Sequence, residues 1–291
     1  MNKVDAHQHF WQPARGDYHW MDAGDASLDP LRRDHLPQEL LPLMHAASVS
    51  HTVLIQAAAT EAETDFMRAL AGQHNWVVGV VGWVDLAAGD AVQRLVRLAE
   101  HAKLRGIRPM LQDLPDPAWL VNAPSPQVWQ AMEDLSLRLD ALVNTRHLGA
   151  LNDFVQRHPR LPVVIDHAAK PPLRAGWNSP AMEAWRIAMG VFAAQPQVCC
   201  KFSGLLTETA LARNASAEAA IEAVEPVLHF LLETFGADRL IWGSDWPVLT
   251  LAASYERWMS VCEALLSELA PHEQARIWAG NAQTFYGLQL L

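Results

Sequence analysis

Eight short apolar runs, each followed by a stretch of helical character, divide this chain along its whole length. The runs lie at 4–10, 51–56, 76–84, 104–110, 139–144, 161–167, 198–203 and 239–245. Each is rich in Val, Ile and Leu and bounded by polar or turn-forming residues, the pattern of a strand buried on both faces. Helical stretches are expected at about 38–47, 61–73, 90–101, 125–137 and 181–194. Another closes near His158-Pro159, and one or two more precede Gly236. A strand–helix–strand repeat requires parallel pairing, because each crossover returns the chain to the same end of the sheet. Eight such units with no Gly/Ser linker predict one α/β domain, a (β/α)8 TIM-type barrel spanning residues 1–291. A doubly wound open sheet would want a glycine-rich phosphate turn after an early strand, whereas Gly79 and Gly82 fall inside a run. The polar stretches 12–37, 112–122 and 170–180 read as long mouth-side loops.

Charge and thiols narrow the partners. The net charge is −10 and no run of Lys or Arg occurs, which argues against nucleic acid and anionic membrane surfaces. The apolar runs are interrupted by charge, so no membrane span is expected. Cys199, Cys200 and Cys262 are an odd set without Cys-x-x-Cys spacing. They read as reduced thiols, and the first run begins too near Met1 to leave room for a leader, so a cytoplasmic location is expected. Nothing in the sequence fixes an oligomeric state.

In a barrel, the C-terminal ends of the strands line one shared mouth. Those ends carry His7 and His9 (first run), Gln56 (second), Arg108 (fourth), His167 (sixth), Lys201 or Ser203 (seventh) and Asp245 (eighth). His7 and His9, two apart on a strand, project to the same face. Three imidazoles and a carboxylate in one volume suit a divalent metal, or a polarised carbonyl beside a general base. Trp11, Trp20 and Trp119 fall in mouth-side loops and could wall a ligand site, whereas Trp185, Trp258 and Trp278 belong in helical core positions. Arg108 and Lys170 are candidate donors to ligand oxygens, and His147 is a second-rank site residue.

The His7-Gln8-His9 end of the first run resembles a known family, as do Val163-Val164-Ile165-Asp166-His167-Ala168-Ala169-Lys170-Pro171 and Leu240-Ile241-Trp242-Gly243-Ser244-Asp245-Trp246-Pro247. The family is the amidohydrolase superfamily, and within it the lactonase branch. The likeness continues through Val80-Val81-Gly82-Trp83-Val84-Asp85-Leu86 and Gly106-Ile107-Arg108 to Gly280-Asn281-Ala282, so it spans essentially the whole chain. Gly106 to Asp113, with Asp116-Pro117-Ala118-Trp119-Leu120 after it, looks closer to the sugar-lactone members than to the pyrone-dicarboxylate ones.

The resemblance implies hydrolysis of an aldonolactone, with L-fuconolactone or a close relative as substrate. It implies His7, His9, His167 and Asp245 as catalytic residues, and Trp11, Gln56, Arg108 and Lys170 as substrate contacts. Two-metal members carry a carboxylated Lys or a Glu at the fourth strand and a His at the fifth. Here those strands end in Arg108-Pro109-Met110 and Val143-Asn144-Thr145, so a binuclear site is not supported. The four catalytic residues could hold one divalent ion, zinc or manganese, or work with none. The alternatives are a pyrone-dicarboxylate lactonase, a metal-dependent decarboxylase of the same superfamily, and a non-catalytic protein that binds sugar acids.

Overall fold

The computed structural model describes residues 2–21 and 24–290. Met1, Asp22, Ala23 and Leu291, at the ends of the expected domain and inside the 12–37 loop, lie outside the described residues. Eight parallel strands pair in chain order: β1 Val4–Gln8, β2 His51–Ile55, β3 Val77–Gly82, β4 Leu104–Ile107, β5 Arg138–Ala141, β6 Val163–Ile165, β7 Val198–Phe202 and β8 Leu240–Trp242. The circle closes between its first and last members. Asp245 N donates to His7 O at 2.8 Å, His9 N donates to Trp246 O at 2.8 Å, and Gln8 bridges Trp246 in parallel. The (β/α)8 barrel is thus observed.

Local chemistry explains the helices. Thr60 caps the helix Glu61–Gln73, its hydroxyl accepting from Glu63 N at 3.0 Å, and Pro opens the helices Pro37–Ala46, Pro126–Asp134 and Pro180–Gly190, where a missing N–H costs nothing. The stretch 112–122, read as loop, holds two turns of helix instead, Leu111–Asp113 and Trp119–Asn122. Asp116 accounts for the second, accepting from Ala118 N at 2.8 Å and from Asn122 Nδ2 at 3.0 Å. A helical turn, Leu206–Glu208, and one long helix, Ala217–Phe235, precede Gly236.

The core has two parts. Outward-facing strand residues pack on the helices together with Trp185, Trp258 and Trp278, all buried as the sequence suggests. Within the barrel, Val4, Ala6, Val53, Ile55, Val81, Val164 and Ile241 meet Phe285 and Tyr286 of the C-terminal helix Asn281–Tyr286. That helix covers the N-terminal end of the barrel, where Asn281 Nδ2 donates to Ala237 O and Leu240 O, both at 2.7 Å. Among the described residues, no helix is long and apolar enough to cross a membrane.

Candidate active site

The strands end earlier than the apolar runs, and that difference builds the site. β1 stops at Gln8, β6 at Ile165 and β8 at Trp242, so His9, His167 and Asp245 lie just beyond the strand ends, His9 and Asp245 still held by the two bonds that close the barrel. β1 also carries a register shift between Asp5 and Gln8. Asp5 therefore turns toward Ser244 N at 2.9 Å and Tyr255 Oη at 3.1 Å, while His7 faces Lys201. A bulge of this kind re-aims side chains beyond what simple alternation gives.

His167 and Asp245 both occupy the left-handed region, at φ 51° and 61°. His167 begins a run of four such residues, through Ala168, Ala169 and Lys170. L-residues visit this region at a cost of about 1–2 kcal/mol each. The turn directs His167 and Lys170 into one cleft. Two glycines make room. A Cβ on Gly204 would stand 2.5 Å from His167 Nδ1, and one on Gly243 would stand 2.7 Å from His7 Cβ.

The three imidazoles then converge on one oxygen. Asp245 Oδ1 lies 3.4 Å from His9 Nε2, 3.7 Å from His7 Nε2 and 3.7 Å from His167 Nε2. The rings of His7 and His167 are 4.4 Å apart, and those of His7 and His9 are 5.0 Å apart. His9 Nδ1 is 2.8 Å from Ile55 O, which only accepts; Nδ1 therefore holds the proton and Nε2 the lone pair. His167 Nδ1 meets Ser203 Oγ at 2.9 Å.

A buried charged layer supports this cluster. Lys201 Nζ contacts Asp140 Oδ2 at 2.5 Å, Asp166 Oδ1 at 3.0 Å and His7 Nδ1 at 3.0 Å. Tyr286 Oη donates to Asp140 Oδ2 at 2.7 Å. Arg108 Nη1 donates to Asp166 Oδ2 at 3.2 Å, and its Nη2 donates to Gln56 O. Gln56 Nε2 returns a bond to Arg108 O at 2.6 Å.

Burial sets the charge states. It pushes His167 down to about 4, holds His9 below its ordinary value and, with Lys201 nearby, puts His7 well below. Burial alone would raise the Asp245 carboxyl; His167, His9 and Lys170 outweigh it and hold Asp245 below the usual carboxylate range. At neutral pH the cluster is a carboxylate ringed by neutral imidazoles.

Above it opens a cleft of about 150 Å³, lined by His9, His167, Asp245, Arg108 and Lys170 with Trp11, Trp20, Met110, Leu142 and Val248. Of the residues singled out from sequence, His7 sits beneath this cleft and Gln56 behind it, engaged with the Arg108 backbone. Trp11 borders it with its indole N–H given to Leu31 O at 3.0 Å. Trp119 and His147 do not line it. Asp166, Asp140 and the role of Lys201 were missed. Each is a lone charge within a strand or at its end among apolar residues, and that isolation was the available signal.

A divalent ion fits the donor set by spacing and type. One ligand atom each from His7, His9 and Asp245 lie within 4.8 Å of one another, as do those of His7, Asp166 and His167. His7 Nε2 is buried without a hydrogen-bond partner among the described residues. His9 Nε2 presents a lone pair, as an imidazole ligand must.

Comparison with known proteins agrees in sequence and in fold. The model of the amidohydrolase family matches residues 4–288. The L-fucono-1,5-lactonase of Burkholderia ambifaria is 44% identical over 98% of this chain and 95% of its own length. That of Burkholderia multivorans is 38% identical over 98% and 96%. A crystal structure of a Burkholderia multivorans amidohydrolase with bound zinc superposes with a TM-score of 0.90 at 36% identity, covering 99% of this chain and all of the other.

Proposed function

This chain belongs to the amidohydrolase family, and from that premise we propose that it hydrolyses L-fucono-1,5-lactone, or a closely related aldonolactone, to the sugar acid. It is a lactonase by kinship with two curated L-fucono-1,5-lactonases along almost its whole length. The observation that carries the chemical reading is the Asp245 carboxyl set among three imidazole Nε2 atoms at 3.4–3.7 Å, on the floor of an open cleft.

Lactone hydrolysis needs a polarised carbonyl, an activated water and a protonated leaving oxygen. Asp245 takes a proton from the attacking water. The imidazoles of His7, His9 and His167 surround the carbonyl oxygen, and those with N–H toward it stabilise the forming oxyanion. Asp245, now protonated, returns its proton to the departing ring oxygen, which restores the carboxylate. Arg108 and Lys170 offer donors to the ring hydroxyls, and Trp20, Met110, Leu142 and Val248 offer apolar surface to its C–H face. A divalent ion held by His7, His9 and Asp245 would supply Lewis-acid polarisation and a more acidic water when bound.

A dicarboxylate substrate finds less support. Of the described arginines only Arg108 lines the cleft, and Asp166 already neutralises it. Arg15, Arg32, Arg33, Arg146 and Arg174 are bonded elsewhere, to acidic side chains or backbone carbonyls. Cytoplasmic residence is part of the same reading, and three free thiols, two of them buried, suit it.

The deciding experiment is acid release from a panel of aldonolactones, L-fucono-1,5-lactone included, with metal-stripped and zinc-supplemented protein. Turnover in either sample supports the lactonase reading and tells whether metal is needed. Turnover only of pyrone dicarboxylates would overturn it.

A further inference from the structure

Lys201 is wholly buried; its ammonium is hydrogen-bonded to Asp140 Oδ2 at 2.5 Å and meets His7 Nδ1 at 3.0 Å, and it pairs by charge alone with Asp166 Oδ1 at 3.0 Å. An ammonium carries three N–H bonds and no lone pair, whereas a neutral imidazole carries one of each. Nδ1 of His7, at hydrogen-bond distance from a group that can only donate, is therefore its lone-pair nitrogen. The ring proton then sits on Nε2, which points toward Asp245 Oδ1, 3.7 Å away, and has no hydrogen-bond partner among the described residues. His9 is the reverse: its Nδ1 proton goes to Ile55 O and its Nε2 lone pair faces Asp245. Two histidines that are equivalent by spacing become opposites through their neighbours.

We propose that Lys201 is a positioning residue that fixes His7 as an N–H donor to the reacting oxygen and thereby opposes ligation of a metal ion by His7. To bind an ion through Nε2, His7 must take the other tautomer, with Nδ1–H donated to Asp166 Oδ1, 3.4 Å away. The proton moves from Nε2 to Nδ1 and none is gained or lost. The Lys201 ammonium opposes that state twice: it faces an N–H instead of a lone pair, and it stands as a fixed positive charge near the incoming cation. Lys201 thus favours the form of the site in which an imidazole, and not an ion, stabilises the oxyanion. This rests on the lactonase reading only for the identity of the atom that His7 addresses.

The test needs no turnover, so its failure is separable from failure of that reading. In zinc-free protein labelled with ¹⁵N-histidine, two-bond ¹H–¹⁵N correlations report which ring nitrogen is protonated. The His7 ring is assigned by its contact with the His167 ring. The expected result is an Nε2–H ring for His7 beside an Nδ1–H ring for His9. A His7 ring protonated at Nδ1, or at both nitrogens, overturns the proposal. Zinc competition against a chromogenic chelator gives an independent arm. Lys201→Met should bind zinc about tenfold or more tighter than the unmodified protein, the scale of effects of groups bonded to metal-bound imidazoles. Unchanged or weaker binding in a folded variant overturns the proposal, and should that variant fail to fold, the spectrum of the unmodified protein decides alone.

Discussion

Gly204→Ala should damage catalysis more than it damages the fold, and the geometry sets both magnitudes. The new Cβ would stand 2.5 Å from His167 Nδ1, 2.8 Å from its Cγ and 3.0 Å from Asp245 Oδ2. Restoring ordinary contact at about 3.5 Å moves the ring by about 1 Å. The ring cannot retreat freely, because Ser203 holds Nδ1 and the left-handed turn holds the backbone. Gly204 itself has φ 64°, where alanine costs about 1–2 kcal/mol. Overpacking adds about 1–3 kcal/mol. The sum, about 2–5 kcal/mol, corresponds to roughly 4–10 °C in Tm for a chain of this size. A 1 Å misplacement of a catalytic group costs about 10²-fold in rate. Because Arg108 and Lys170, the proposed ligand donors, line other parts of the cleft, the loss should fall on kcat with KM little moved. Thermal melts and steady-state kinetics on L-fucono-1,5-lactone measure the two effects separately. A variant with lowered Tm and native kcat would refute the catalytic role of His167. One with neither changed would refute the close approach itself.

Asp245→Asn should keep its fold and lose about 10²–10⁴ in kcat, the range of a general base; near-native turnover would remove Asp245 from that role. The pH profile of kcat/KM should be level from about pH 8 to about pH 5, because the carboxylate is held below its ordinary range and His167 gains its proton only near 4. An acid limb at ordinary histidine values would contradict that environment. Asp5, raised by burial from 3.8 to about 6, binds its proton more tightly folded than unfolded, so its contribution is full below 3.8 and is lost as the pH rises through 6. Its ionisation therefore costs about 3 kcal/mol at pH 7. Urea unfolding of Asp5→Asn should show the variant gaining by about that much on the native protein between pH 4 and pH 7, whereas a pH-independent difference would refute the assignment. Arg108→Met should destabilise by about 3–5 kcal/mol by leaving Asp166 short of a buried partner; a stability loss below about 1 kcal/mol would show the pair to be dispensable.

Much of this molecule was written locally. The alternation of apolar runs with helical stretches specifies parallel pairing, and parallel pairing repeated eight times leaves little but a barrel. The strand-end rule then gathers His7, His9, His167 and Asp245 at one mouth, because a barrel makes distant strand ends neighbours. What local pattern could not supply was orientation. His167 and Asp245 reach the centre through left-handed backbone at non-glycine residues, which no propensity predicts and only the surrounding packing can impose. Gln56 is chemically fit to hold a ligand, yet it spends its amide N–H on the Arg108 backbone. Asp140, Asp166 and Lys201 come from β5, from the turn after β6 and from β7, and each looks like an isolated charge until the barrel closes. Sequence determined which groups share the site, since that follows from the order of elements. Tertiary structure alone decided which nitrogen of each histidine is left to do chemistry, because a ring proton goes where the neighbours, and not the chain, require it.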